Sequence, residues 1–287
     1  MSHFVKQKSL HGLKSYVDTE DRTVAKNAFA AGGENDPTVV LPGSHDTVAV
    51  FDDFLGDLIG DEWAVVSADT GSDNTGTIVT STNGVCRLAS PENQTPTQAS
   101  VIALSTGAFK NWKADQGKGP PSTHGSLRMG VRLKFDSVSR TTERQHVFVG
   151  FSDSGGAEMP LYDTGAGVIS NAADYCGFMF SPGGDTGWSL VAGDSTAGDS
   201  GDQLVATGAN PTANAYEDLE IEISHGGSDT GGTAYFYRNG QRVGSITSPV
   251  NSVAALAPWV GFFPQDTDAV NLDIDYINIA APRDTGT

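Results

Sequence analysis

The chain has 287 residues, 38% of them hydrophobic, which is enough to bury a substantial core in one domain. Its formal charge is -18, so a phosphate backbone would be repelled and nucleic acid is not expected as a partner. No apolar run approaches a membrane span and the first residues lack the apolar core of a secretory signal, so neither a membrane partner nor export by that route is expected.

Glycine is abundant, at 35 residues, and aspartate outnumbers glutamate 26 to 9. Both favoured types tolerate left-handed and Asx-turn geometry, which points to short strands joined by tight turns. Cys86 and Cys176 do not make a disulfide framework. Buried reduced thiols are expected, with a single bridge as the other reading.

Residues 1–48 read as an arm and linker, distinct from a body over 49–287. Residues 1–30 hold five bases and three acids, a net +2, which leaves -20 for the rest of a chain that totals -18. Within the arm, residues 17–31 predict one short helix, with Asp18 or Thr19 as N-cap, Lys26 late and Gly32-Gly33 as the stop. Its apolar stripe, Val24, Ala25, Ala28 and Phe29, is too thin to fold alone. Residues 32–45 read as an extended linker.

From Val48 onward period-two patterns take over. Phe51 and Phe54 bracket two aspartates, residues 63–66 form an apolar run, and Asn83-Gly84 marks a hairpin. A polar loop covers 107–125. Met129, Val131 and Leu133 alternate with Arg128, Gly130, Arg132 and Lys134, the cleanest strand in the sequence. Apolar strands follow at 146–151, 175–180 and 188–191, with loops at 152–171 and 192–202 between and after them. Leu219, Ile221 and Ile223 then alternate with Glu220, Glu222 and Ser224. Tyr235, Phe236 and Tyr237 supply a β-favouring aromatic run, and Asn239-Gly240 suits a type I′ turn. Strands at 254–263 and 272–279 close the set. Polar outer faces and the absence of a long helix or repeat predict one antiparallel two-sheet sandwich, with Leu219, Ile221, Ile223, Met129, Val131 and Leu133 in its core.

Phe236-Tyr237-Arg238-Asn239-Gly240 and Val243-Gly244, with FDDF at 51–54, Trp63 and LDIDYI at 272–277, resemble the concanavalin A-like (laminin G-like) jelly roll over roughly residues 49–281. In this order the motifs are similar to the lectin-like domains of bacteriophage virion proteins, head decorations and tail fibres among them. The resemblance implies a non-enzymatic phage virion structural protein, a capsid decoration or head-fibre protein in a virion assembled in the host cytoplasm. Residues 1–45 are then the attachment to a capsid or other virion protein, with Lys6, Lys8, Leu13, Val24 and Phe29 as contacts. The other class is a carbohydrate-binding module or tail-fibre receptor-binding domain, and the third is a glycoside hydrolase of laminarinase type. A surface glycan and a homo-oligomer complete the expected partners.

Three chemistries bear on this choice. Gly198-Asp199-Ser200-Gly201 spells the nucleophile motif of trypsin-like proteases, but Asp202 follows it and no histidine has the matching context, so a turn is the reading. The acids at 217–222 do not match the laminarinase E-x-D-x-x-E spacing and read as a solvated strand face. In relatives of this fold a structural calcium joins the opening and closing strands, which implies Asp52, Asp53, Asp273 and Asp275 as ligands; acids facing water are the other reading. Trp112, Tyr162 and Tyr237 are candidates for stacking on sugar rings, whereas Trp188 and Trp259 sit in apolar runs and read as core.

Overall fold

The computed structural model describes residues 9–10, 13–14, 25–26, 38–39, 47–54, 63–67, 75–79, 84–90, 100–104, 127–135, 145–153, 160–163, 168–181, 187–194, 203–224, 232–251, 254–264 and 270–282. Its strands are, in chain order, β1 (Ser9–Leu10), β2 (Leu13–Lys14), β3 (Ala25–Lys26), β4 (Thr38–Val39), β5 (Thr47–Asp52), β6 (Trp63–Ser67), β7 (Thr75–Val79), β8 (Val85–Ser90), β9 (Ser100–Leu104) and β10 (Leu127–Phe135). They continue with β11 (Gln145–Ser152), β12 (Leu161–Asp163), β13 (Val168–Ser170), β14 (Asp174–Phe180), β15 (Trp188–Asp194), β16 (Gln203–Ala206), β17 (Tyr216–Ser224), β18 (Thr233–Arg238), β19 (Gln241–Thr247), β20 (Ala257–Pro264) and β21 (Val270–Pro282).

Two antiparallel sheets face each other. The eight-stranded sheet runs β19-β18-β17-β10-β21-β8-β7, with β5 also pairing β21; the seven-stranded sheet runs β16-β15-β14-β11-β20-β9-β6. The alternation in β10 and β17 translates directly into register: Met129 pairs with Ile221 and Val131 with Leu219. All six residues expected in the core are at most 1% exposed. Asn239 and Gly240 take φ of 50° and 75°, the type I′ geometry that their sequence predicts, and join β18 to β19. Aromatic rings carry much of the packing between sheets: Phe178 meets Phe236 edge to face at 5.3 Å, and Trp188 lies 5.7 Å from Phe135. Each such buried ring contributes roughly 2–3 kcal/mol of transfer free energy. At one margin the sheets close until the Leu190 side chain seats on Gly244, where a Cβ would collide with it.

The helix expected over 17–31 is not what forms at Ala25–Lys26, which pairs as β3 with β4 in place of continuing a helix. Alanine and lysine follow their partner strand here, and the remainder of that span lies outside the described residues. The linker reading over 32–45 is likewise interrupted by β4. Within the expected loop at 152–171 the chain forms the hairpin β12–β13. Cys86 and Cys176 are both free thiols buried in the core, and burial, with Asp52 and Asp273 nearby, pushes the Cys86 thiol up to about 12.

A carboxylate with four donors enters this core. Glu217 is 2% exposed and accepts hydrogen bonds from Trp188 Nε1 at 2.9 Å, Arg238 Nε at 3.0 Å, Arg238 Nη2 at 2.9 Å and the Thr212 amide at 2.9 Å. Replacing Glu217 with alanine strands a largely buried guanidinium and an indole N–H, so unfolding in urea should show a loss of about 3–5 kcal/mol; a loss below about 1 kcal/mol would contradict the role given to it.

Candidate functional site

The two sheets turn different outer faces to their surroundings. On the seven-stranded sheet, Phe148, Tyr175, Met179, Val191 and Trp259 form a second apolar cluster with Leu161 and Ala172 from the segment carrying β12 and β13. Phe148 and Trp259 meet edge to face at 5.7 Å. Among the described residues that cluster is buried by the chain itself.

The eight-stranded sheet presents the opposite chemistry. Because Leu219, Ile221 and Ile223 point inward, Tyr216, Asp218, Glu220 and Glu222 project from the other face of β17. Arg128, Arg132 and Lys134 do the same on β10, and Tyr235 and Tyr237 on β18. On β21 a bulge at the Arg132/Leu133 step leaves Asp275 between the residues paired with them, so Asp273, Tyr276 and Asn278 align with this row.

Nearly every charge on this face is matched. Glu222 binds Arg128 at 2.7 Å. Arg132 lies between Asp275 at 3.3 Å and Asp218 at 3.8 Å, and the Tyr276 hydroxyl donates to Asp218 at 3.2 Å. Asp273 accepts a forked pair from Arg87, at 2.6 and 2.9 Å, and faces Lys134 Nζ at 3.1 Å. Arg132 and Lys134 also flank the Tyr216 ring at 5.3 and 5.1 Å, and Arg242 covers Tyr235 at 4.4 Å. Glu220 is the exception: among the described residues it makes no hydrogen bond or ion pair. Burial raises its carboxyl above the ordinary range, Arg128 opposes the rise and Glu222 adds to it. Burial would raise Asp273 also, but the hydrogen bonds and charges of Arg87 and Lys134 overcome it and hold that carboxyl low.

The expected site residues fare differently. Tyr237 stands on this face, directly across from Glu220 in the β17–β18 register. Tyr162 lies in β12, Trp112 is outside the described residues, and Trp188 and Trp259 are buried as expected. Burial raises the Asp275 carboxyl and Asp53 comes close enough to add to the rise, but the four aspartates expected for calcium do not converge as a set. Asp273 has both oxygens occupied by Arg87 and Lys134, Asp275 faces Arg132, and Asp52 accepts the Phe54 amide at 2.8 Å. Among the described residues no three His, Cys, Asp or Glu side chains converge on a metal position, so the carboxylates do not fit a calcium. Of the arm contacts, Leu13 lies in β2, opposite Leu10, while Lys6, Lys8, Val24 and Phe29 are outside the described residues. The 198–201 motif is outside them as well. Tyr216, Tyr276, Arg128, Arg132 and Asn278 escaped the sequence reading; the one available signal was the outward set of β10, cationic except at Gly130.

No protein-family model matches the chain, and no curated protein matches it by sequence. Solved structures do share its architecture. An endo-1,3-β-glucanase from Streptomyces sioyaensis aligns with a TM-score of 0.51 and 11% identity over 84% of this chain and 98% of its own. Peanut lectin aligns with a TM-score of 0.50 and 9% identity over 82% of this chain and 97% of its own. The class is thereby defined: the chain is a concanavalin A-like jelly-roll sandwich. The expectation of a non-enzymatic protein is corrected at this point. The same fold houses a glucanase, and of the acids at 217–222 that read as solvated, Glu217 is buried in the core while Glu220, on a shared face with Asp218 and Glu222, has its carboxyl raised by burial.

Two titrations of opposite sign follow. The low Asp273 carboxyl stabilises the fold above the ordinary carboxylate pKa, and that stability is lost as pH falls through its depressed folded value; Asp273→Asn should flatten the acid limb of a Tm-versus-pH curve and lower Tm at pH 7. The raised Glu220 carboxyl does the reverse, costing stability as pH rises from the ordinary carboxylate pKa through its folded value. Glu220→Gln should therefore leave Tm at pH 7 equal or higher, with the difference vanishing below the ordinary carboxylate pKa. A clear drop in Tm at pH 7 for Glu220→Gln would contradict the desolvation account.

Proposed function

We propose that this chain is a glycan-recognition jelly roll displayed on a virion, contacting saccharide through the outer face of its eight-stranded sheet and attached through residues 1–45. The observation that carries the recognition reading is that face: Tyr216, Tyr235, Tyr237 and Tyr276 set among fixed ion pairs, with Glu220 making no direct ion pair among the described residues. Saccharide sites combine aromatic surface with a few oriented polar groups, and side chains held by mutual ion pairs lose little entropy on binding. A glucanase and a lectin share the fold, which supports a sugar as ligand. The virion setting rests on the resemblance of the motif order and on the charge split between arm and body. With -20 on the rest of the chain, copies repel laterally, which favours attachment through the arm to a capsid or other virion protein.

The recognition reading is tested by affinity electrophoresis against laminarin, lichenan and bacterial lipopolysaccharide O-antigen. Retardation by at least one, weakened about tenfold or more by Tyr237→Ala, is expected; equal mobility in all gels would overturn it. For attachment, deletion of residues 1–45 should abolish co-sedimentation with phage particles while the strand signal in circular dichroism remains. Full occupancy by the truncated protein would refute the tether.

A second reading, cleavage of the bound glycan, is favoured by Glu220 and Glu222. The two carboxylates project from the same face of β17, two residues apart, and glycosidases act with a pair of carboxyls on either side of the scissile bond. Glu220, raised by burial, would donate a proton to the leaving oxygen, and Glu222, held by Arg128, would activate water. Reducing ends released from laminarin or lichenan by the native protein, and lost in Glu220→Gln, would establish this reading; no release from either would remove it.

A further inference from the structure

One row across the eight-stranded sheet differs from its neighbours. Gly130 pairs with Glu220 on one side and with Asn278 on the other, Tyr237 lies beyond Glu220, and Phe51 lies beyond Asn278. Arg128 and Arg132 stand before and after Gly130 on the same face of β10, so a position flanked by long cations has no side chain at all. A Cβ built on Gly130 would meet only the Asn278 Cβ, at 4.0 Å. The row therefore has a gap, with its floor at the Gly130 backbone and its sides on β17 and β21, whose backbones stand roughly 9.5 Å apart across the intervening strand.

Two polar groups stand at the sides of this gap, Asn278 buried and Glu220 half-buried. Asn278 is only 9% exposed, and its Oδ1 is buried without a hydrogen-bond partner. Glu220 makes no hydrogen bond or ion pair among the described residues, on a face where Glu222, Asp218, Asp273 and Asp275 all have cations. A buried acceptor left without a donor is costly and rare in native proteins, so the Asn278 oxygen, across one glycine from the half-buried Glu220 carboxyl, calls for a donor between them.

We infer that the gap over Gly130 is a subsite that seats one ring of a neutral saccharide, with its hydroxyls donating to Glu220 and to the Asn278 side-chain oxygen. This rests on the glycan-recognition reading and assigns its point of contact. Two acceptors select a donor. A cation fits poorly, because Arg128 and Arg132 flank the floor and, among the described residues, Glu220 is joined there by no converging set of acidic ligands. A hydroxyl can donate to the acceptors and accept from the arginines, and Tyr237 beside Glu220 offers a ring edge or face to the sugar carbons.

The full chain is titrated with laminarihexaose, and with D-glucose and D-galactose at high concentration, while the Asn278 side-chain amide signals are followed by NMR. In the native protein they shift on addition of at least one saccharide and do not shift with calcium chloride. Gly130→Val, which fills the gap, is expected to weaken that binding at least tenfold, and Asn278→Leu likewise. Gly130→Ala adds only an ordinary contact to the folded protein and should weaken binding several-fold with unchanged Tm, which guards against a valine variant that fails to fold. Native binding that survives Gly130→Ala and Asn278→Leu undiminished overturns the subsite and leaves the recognition reading standing. Absence of any saccharide response in the native protein overturns both, and a shift with calcium chloride in place of saccharide overturns the ligand class.

Discussion

The buried carboxylate of Glu217 sets the phase of the strand on which the candidate site stands. It receives the indole of Trp188 from the opposite sheet, both arms of Arg238 from the neighbouring strand and the Thr212 amide. A buried charge is tolerated only when its lone pairs are filled in this way, and removing one partner leaves the others exposed to a full desolvation cost. Side chains alternate along a strand, so anchoring Glu217 inward together with Leu219, Ile221 and Ile223 sends Tyr216, Asp218, Glu220 and Glu222 outward. A slip of one residue would bury three acids and expose three aliphatics, which makes this register strongly specified.

From that constraint the outer face of the eight-stranded sheet follows. β10 lies next to β17 in fixed register, so Arg128 meets Glu222 and Arg132 meets Asp218; the bulge on β21 then supplies Asp275 as a second anion for Arg132. The result is a lattice of short polar contacts that holds tyrosines and guanidinium groups in place. The seven-stranded sheet uses its outer face differently, closing it with Phe148, Met179 and Trp259 beneath Leu161 and Ala172. Among the described residues that apolar cluster is covered by its own chain, whereas the polar face has a row with one missing side chain.

Much of the sandwich is legible in the sequence because its information is local. The alternation in β10 and β17 and the positive φ demanded by Asn239-Gly240 each occupy fewer than ten consecutive residues, and the structure reproduces them. The helix expected around Ala25 and Lys26 had only propensity behind it, and a pairing with Thr38–Val39 displaced it. The site was less legible because it depends on which strands become neighbours. Arg87 and Asp273 are 186 positions apart, and nothing near Asp273 in the sequence signals that a cation will occupy the place expected for calcium. Asn278 likewise sits in a strand that reads as a simple alternation, and only its pairing with Gly130 gives it a role.

The central claim is that the polar face of the eight-stranded sheet, and not the filled face of the other, meets the ligand. Hydrogen–deuterium exchange of the full chain with and without saturating saccharide separates the two directly. Added protection should fall in peptides covering β10, β17, β18 and the middle of β21, with β14, β15 and β20 unchanged. Protection confined to β14, β15 and β20, with β17 and β10 unaffected, would contradict the account.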